Sequence, residues 1–194
     1  MAGVKEKEVA IHRAAIQVIS ENGFHGAKMA RIAEVAGVSA GSLYTYYADK
    51  NDILDRIFET LWKDQLSSLV PLAKRGDMPP EEKLGAALDI IFDTLTSDEN
   101  LVVVFATEFN TFISRSDASF ARYYGSCIEA LVAIVEEGMT KGVFNPHIPS
   151  TVMVNFFLGG IRKTLHEQVV SPISGGWAPI RTHLKALMRR GVMA

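Results

Sequence analysis

The sequence predicts an all-α protein. Three observations carry that expectation. Apolar residues recur at three- and four-residue intervals along most of the chain, as on the buried face of a helix. No stretch alternates apolar and polar residues as a half-buried strand does. Glycine, proline and short polar clusters interrupt the apolar rhythm where helices would end.

Each element follows in order. Residues 5–22 form a first helix with Ile11, Ala15, Val18 and Ile19 along one face. Met29, Ile32, Ala33 and Ala36 repeat at i, i+3, i+4, i+7 and define a second. Gly37 then suits the left-handed residue that ends many helices, and Val38 plugs the corner. Ser39 is an N-cap for a short third helix, without the acidic or amide residue three positions on that would complete a capping box. In that helix Leu43 and Tyr47 face inward, while Gly41 and Thr45, flanked by Ser42 and Tyr44, face out. A long helix spans about 51–74 and is broken by Gly76 to Pro80. The next starts at Pro79–Pro80, where proline is tolerated, and carries Leu84, Leu88, Ile91, Phe92 and Leu95 up to the break at Ser97-Asp-Glu-Asn100. Further helices cover about 101–113, 117–141 (ended by Gly142), 150–170 and 178–190, with loops around Pro146–Pro149 and Pro172–Gly176.

Two short helices joined by a tight turn at 29–47 make a unit that lays its second helix into the major groove of DNA. The outer face of that helix holds only small or hydroxyl side chains and Tyr44, which suits close approach, and hydroxyls and backbone N–H groups donate to phosphate. The competing reading is an ordinary helical hairpin inside a bundle.

The run Ile32-Ala-x-x-Ala-Gly-Val-Ser-x-Gly-Ser-Leu-Tyr-x-Tyr-Tyr-x-x-Lys50 resembles the DNA-binding domain of the TetR family of bacterial transcription regulators. Glu21-Asn-Gly-Phe24 resembles the end of that family's first helix, and Lys50-Asn-Asp-Ile-Leu54 the start of its fourth. The resemblance covers about the first 55 residues. It implies that Ala40, Gly41, Ser42, Tyr44 and Lys50 contact DNA, with Thr45 and Tyr46 as additions; Lys28, Ala30 and Ser39 complete the candidate set. One departure is Lys28, where such domains usually carry a threonine that caps the second helix; lysine has no acceptor for that task but still meets a phosphate. The resemblance also implies nine helices in all, a helix-turn-helix domain at 1–48, and a helical ligand-binding and dimerisation domain at 49–194.

Charge constrains how DNA is held. The whole chain carries a formal charge of −2. Residues 1–50 hold six Lys/Arg (5, 7, 13, 28, 31, 50) and five Asp/Glu (6, 8, 21, 34, 49), a net of +1. Affinity for DNA scales with neutralised phosphates, so one copy would bind weakly and a homodimer on a palindromic operator is expected. At 48 % apolar residues the chain supports a real core of one or two small domains. No run nears 18 uninterrupted apolar residues, and the charged N-terminus lacks a signal-peptide core, so a cytoplasmic protein without membrane contact is expected. The single cysteine, Cys127, is expected to pack as a small apolar residue.

Beyond residue 100 the chain is rich in aromatics. Val102–Phe105, Phe109 and Phe112 make one helix apolar around most of its circumference, hence central. Phe92, Phe105, Glu108, Phe109, Phe112, Tyr123, Tyr124, Phe156 and Phe157 are the candidate lining of a pocket for a small apolar ligand, against the alternative of a filled core. The resemblance implies that the helix at about 150–170 and the last one pair with their mates at a dimer interface, where Gly159 and Gly160, with Leu184 and Leu187, are candidates for a close crossing; a kink opening the pocket is the alternative for the glycine pair. The five histidines are dispersed, with no second histidine at metal spacing after His166-Glu167, no phosphate loop and no nucleophile motif, so neither a metal site, a cofactor nor an enzyme is expected. The expectation is a ligand-responsive repressor. Glu21–His25, Asp52–Leu54 and Asp98–Leu101 resemble family members that control fatty-acid degradation, which implies a long-chain acyl-CoA as ligand. A drug-responsive efflux repressor that binds a cationic hydrophobic compound is the rival, and a helical small-molecule-binding protein without DNA binding is the alternative of another class.

Overall fold

A computed structural model describes residues 2–115 and 118–193. Nine helices are found among them: α1 (Ala2–Gly26), α2 (Met29–Val35), α3 (Ala40–Tyr46), α4 (Lys50–Ala73), α5 (Pro80–Thr96), α6 (Glu99–Arg115), α7 (Ala118–Thr140), α8 (Ser150–Val170) and α9 (Trp177–Val192). The expected start of α7 at Asp117 lies outside the described residues. An isolated bridge between Phe144 and Met193 is the nearest approach to a strand among the described residues.

Most boundaries follow from local chemistry. Gly37 adopts φ +68°, the left-handed turn after α2, and Val38 N–H reaches back to Ala33 O at 3.0 Å. Ser39 Oγ accepts from Ser42 N–H at 3.1 Å and caps α3. Asp49 caps α4, accepting from Asn51 and Asp52 N–H at 2.7 and 3.0 Å, while Asp52 accepts from Ala48 N–H in return at 3.1 Å. Asp98 does more than mark a break: it caps α6, accepting from Asn100 and Leu101 N–H at 2.8 and 3.0 Å. The first helix runs past its expected end at residue 22, with a kink at Gly23 (φ 67°, ψ 161°).

α4 is the axis of the molecule. One face packs on α7 and α5, and its first turns pack on α1. Ile53, Leu54, Ile57, Phe58, Leu61, Trp62, Leu69 and Leu72 supply the buried stripe. Burying a Phe58-sized side chain stabilises by roughly 1.5–3 kcal/mol, and its ring sits 4.5 Å from Phe112 and 5.8 Å from Phe109. α6 lies between α1 and α8, so it touches the helix-turn-helix unit directly; Ser20 of α1 donates to Asn100 Oδ1 at 2.6 Å. At the far end of α4, the fully buried Lys83 donates to Glu137 Oε2 at 2.5 Å and to Ala73 O at 3.2 Å, satisfying a helix-end carbonyl. Hydrogen bonds from Lys141 and Lys83 hold the Glu137 carboxyl below its ordinary pKa. Gly138 is required where it stands, because a Cβ there would fall 2.1 Å from the buried Phe144 ring.

Candidate nucleic-acid interface and ligand cavity

The outward face of α3 is built by its inward one. Leu43 and Tyr47 are buried, and the Tyr47 hydroxyl pairs with His12 Nε2 of α1 at 2.9 Å. Burial pushes the Tyr47 phenol up to about 12 and lowers the His12 imidazole below its ordinary value. With those two anchored, Ala40, Gly41, Tyr44 and Thr45 are exposed, as are Ser39, Lys28 and Ala30, while Ser42 and Tyr46 are half-buried. Tyr44 is the largest apolar projection, 56 % exposed. The Thr45 hydroxyl donates to Gly41 O at 3.0 Å. Lys28 holds the N-cap position of α2 with extended backbone and no side-chain cap bond, as its lack of an acceptor requires.

Lys50, expected as a phosphate partner, is engaged within the protein. Its ammonium donates to the carbonyls of Phe24, His25 and Ala27 at 2.6, 3.0 and 3.2 Å and sits 4.7 Å over the Phe24 ring. The end of α1 leaves carbonyls without helical partners, and a lysine from the start of α4 meets them.

In the C-terminal helices a cleft-like cavity of about 130 Å³ is lined by Trp62, Ile91, Leu95, Phe105, Phe109, Tyr124, Asn155, Leu158, Gly159, Ile161 and Arg162. Its aromatic wall is continuous: Trp62 meets Tyr124 edge-on at 4.8 Å, and Phe105 lies 4.7 Å from Phe109. Desolvation raises the Tyr124 phenol pKa. Arg162 is the one charged residue of this lining among the described residues; it donates to Asn110 Oδ1 at 2.5 Å and lies 5.9 Å from the Phe109 ring centre.

Residues 11–57 match the family of bacterial regulatory proteins called tetR. Over that segment the chain is a TetR-family DNA-binding domain, and the protein is a transcription regulator. The regulator is 26 % identical over 170 residues to the fatty acid metabolism regulator protein of Bacillus subtilis, covering 86 % of this chain and 84 % of that one. Its fold superposes on the transcriptional regulator FadR from Bacillus subtilis, solved in complex with stearoyl-CoA, with a TM-score of 0.81 at 24 % identity, covering 94 % and 98 % of the two chains. SmeT, the repressor of a multidrug efflux pump of Stenotrophomonas maltophilia, gives a TM-score of 0.75 at 16 % identity over 96 % and 90 %. The regulator is thus a DNA-binding transcription regulator with the helix-turn-helix at its N-terminal end.

Of the residues expected to line a pocket, the fold of the regulator brings Phe105, Phe109 and Tyr124 together around the cavity. Phe92 and Phe112 are buried in the core away from it. Glu108 is half-buried, beside the Thr107 hydroxyl at 3.3 Å, and takes no part in the lining. Tyr123 lies outside, under the cations of Lys63 and Arg122. Phe157 borders a separate, smaller space with Leu84 and Met188. Phe156 is 74 % exposed and is no part of a pocket, because a one-residue step turns it about 100° from Phe157 around α8. Leu187 is 66 % exposed, whereas Leu184 packs partly into the core. Gly159 and Gly160 have nothing within 4 Å of a Cβ position in the single chain. Trp62, Asn155 and Arg162 were not expected in the lining. Trp62 lies on the apolar stripe of α4, a pattern shared by every core helix, and Arg162 follows the glycine pair expected at an interface. No helix among the described residues is long and apolar enough to cross a membrane. Cys127 is buried against Trp62 O at 3.6 Å, and burial pushes its thiol up to about 12, the opposite of a reactive thiolate.

Proposed function

We propose that the regulator is a repressor that binds a palindromic operator as a homodimer and is released by a long-chain acyl-CoA. The observation that carries the ligand is the cavity wall: aromatic and aliphatic, with Arg162 as its charged member and no carboxylate among the described lining residues. An apolar chain with an anionic head matches that wall. A cationic hydrophobic drug has no counter-charge there, so the efflux-type alternative is disfavoured. The fatty-acid role named for the Bacillus subtilis relative and the stearoyl-CoA held by FadR support the same reading. In this reading residues 1–48 are the DNA-binding domain and 49–194 the ligand-binding and dimerisation domain, with the Asp49 cap at the seam.

The dimer is assigned to α8 and α9. Val152, Phe156 and Leu187 are 54, 74 and 66 % exposed, and the bare backbone at Gly160 lies on the same stretch. Exposed apolar surface of this kind marks an interaction site. DNA contact falls to Tyr44, Gly41, Ala40, Ser42 and Lys28, with Lys50 positioning the unit from within.

Release follows from packing. α4 and α6 both line the cavity, through Trp62 and through Phe105 and Phe109, and both pack on α1. The cavity is near the size of an engineered void of about 150 Å³ that accepts benzene, so a long acyl chain enters only by parting these helices. That moves α1 and α3 and changes the spacing of two recognition helices that must sit about 34–36 Å apart. A ligand that prefers the parted state by 100-fold shifts the equilibrium by about 2.8 kcal/mol. The test is a gel shift on palindromic DNA from upstream of the gene, with and without palmitoyl-CoA. Loss of the shifted band on adding palmitoyl-CoA is the expected result; a band that palmitoyl-CoA leaves intact refutes the ligand, and no salt-sensitive band on any palindrome refutes the repressor.

A further inference from the structure

Trp62 is only 4 % exposed, it is one of the residues that line the cavity, and its Nε1 is buried without a hydrogen-bond partner among the described residues. The indole N–H is a donor and nothing else. Buried donors are nearly always satisfied in native proteins, so an orphan of this kind calls for an acceptor that arrives from outside. Phenylalanine would complete the same aromatic wall with Phe109 and Tyr124, 5.8 and 4.8 Å away, without bringing an N–H into it. One turn further along α4, Gln65 is 1 % exposed and both of its amide atoms also lack partners. The interior face of α4 therefore carries a short polar stretch inside an apolar stripe, and its first member belongs to a cavity-lining residue, with the N–H closed off from the cavity as the helices now pack.

We infer that, once the entering chain parts α4 from α6, Trp62 Nε1 donates a hydrogen bond to the carbonyl oxygen of the bound ligand, so that the site selects an acyl group and not merely a hydrocarbon chain. This rests on the acyl ligand proposed above and adds to it the residue that reads the carbonyl. A saturated chain gains from the apolar wall alone. An acyl chain gains that and also satisfies a donor that is otherwise left unpaired, which is the arrangement that discriminates most strongly against an analogue lacking the polar group. The donor belongs to α4, which carries the helix-turn-helix at its other end. A ligand that bonds Trp62 is thereby anchored to that connecting helix, in addition to parting it from α6 as any long chain would.

The experiment compares palmitoyl-CoA with S-hexadecyl-CoA, a thioether of equal chain length whose carbonyl is replaced by methylene. Binding of each is measured by calorimetry to the wild-type protein and to Trp62→Phe. The wild type is expected to bind the thioester about tenfold more tightly, and the variant to bind the two alike. In a Trp177→Phe background Trp62 is the sole tryptophan, and its emission is expected to change with palmitoyl-CoA; this reading, like the wild-type comparison, does not depend on how well Trp62→Phe folds. Equal wild-type affinities for the two ligands overturn the Trp62 assignment while leaving the acyl-CoA reading intact. So does a tenfold preference that persists in Trp62→Phe, or an emission that palmitoyl-CoA does not alter. Failure of the wild type to bind either compound overturns both readings together.

Discussion

Lys50 Nζ lies 2.6 Å from the carbonyl oxygen of Phe24 and 4.7 Å above the centre of the same residue's ring. One ammonium thus closes the end of α1 and ties it to the start of α4. Replacing it with methionine keeps the stem and deletes three charged hydrogen bonds. We expect Lys50→Met to destabilise the protein by about 1–3 kcal/mol, read by urea denaturation. The salt dependence of DNA binding separates this role from a phosphate contact. Loss of a phosphate partner lowers the slope of log K against log salt by about 0.9 per copy, whereas an internal cap leaves the slope unchanged.

Gly41 is exposed on the outer face of α3, and a Cβ there would meet nothing within 4 Å. In the free protein Gly41→Ala should therefore stabilise, by up to about 1 kcal/mol from helix propensity. On the operator the added methyl enters the space between helix and DNA. The expected pattern is a raised melting temperature with weakened operator binding. A variant that binds operator as well as the wild type would show that DNA does not approach this position closely.

Tyr44 projects from the same face. Its neighbours are too small or too engaged to read bases strongly, so a backbone contact is expected to dominate. Tyr44→Ala should weaken binding to all operator variants by a similar factor. Relaxed discrimination at a single base pair would assign Tyr44 to base reading instead.

His12 connects stability to pH. Burial lowers its pKa from 6.5, Glu8 acting against this and Arg56 with it. The unfolded chain therefore takes up the proton first as pH falls. Above 6.5 both states are neutral and His12 contributes no slope. Below 6.5 stability falls, until the folded imidazole is protonated as well. Denaturation midpoints measured from about pH 7.5 to pH 5 should show this loss, and His12→Gln should remove its share of it.

Phe156 is the most exposed large apolar residue among those described, at 74 %. Phe156→Glu should give a monomer in sedimentation velocity at micromolar concentration, with operator affinity lost and helical content retained. A wild-type protein that is already monomeric would overturn the dimer assignment.

The helix-turn-helix was legible from sequence because its determinants are local. Gly37, Ser39 and the spacing of Ile32, Leu43 and Tyr47 act within a few residues of one another. The internal hydrogen bonds of Lys50 were not legible because its partners lie 23 to 26 positions earlier in the chain and are backbone carbonyls, which carry no residue-type signature. The cavity was half legible. The aromatic run of α6 announced Phe105 and Phe109, but Trp62 and Arg162 are brought together only by the packing of α4, α6 and α8. For Phe156 and Phe157 the composition is identical and helix phase alone separates a solvent-facing ring from a packed one.

A cavity of about 130 Å³ has one more consequence. Ordinarily each added methylene that enters a ready-made apolar space contributes about 0.8 kcal/mol. Here the first few carbons fill existing space, and every later one must push protein aside before it is sheltered from water. Short acyl chains would then bind without moving α4 or α6, and only chains past a threshold length would do mechanical work on α1. The regulator would behave as a ruler, silent to short acids and responsive to long ones, with the threshold set by packing between helices instead of by any single contact.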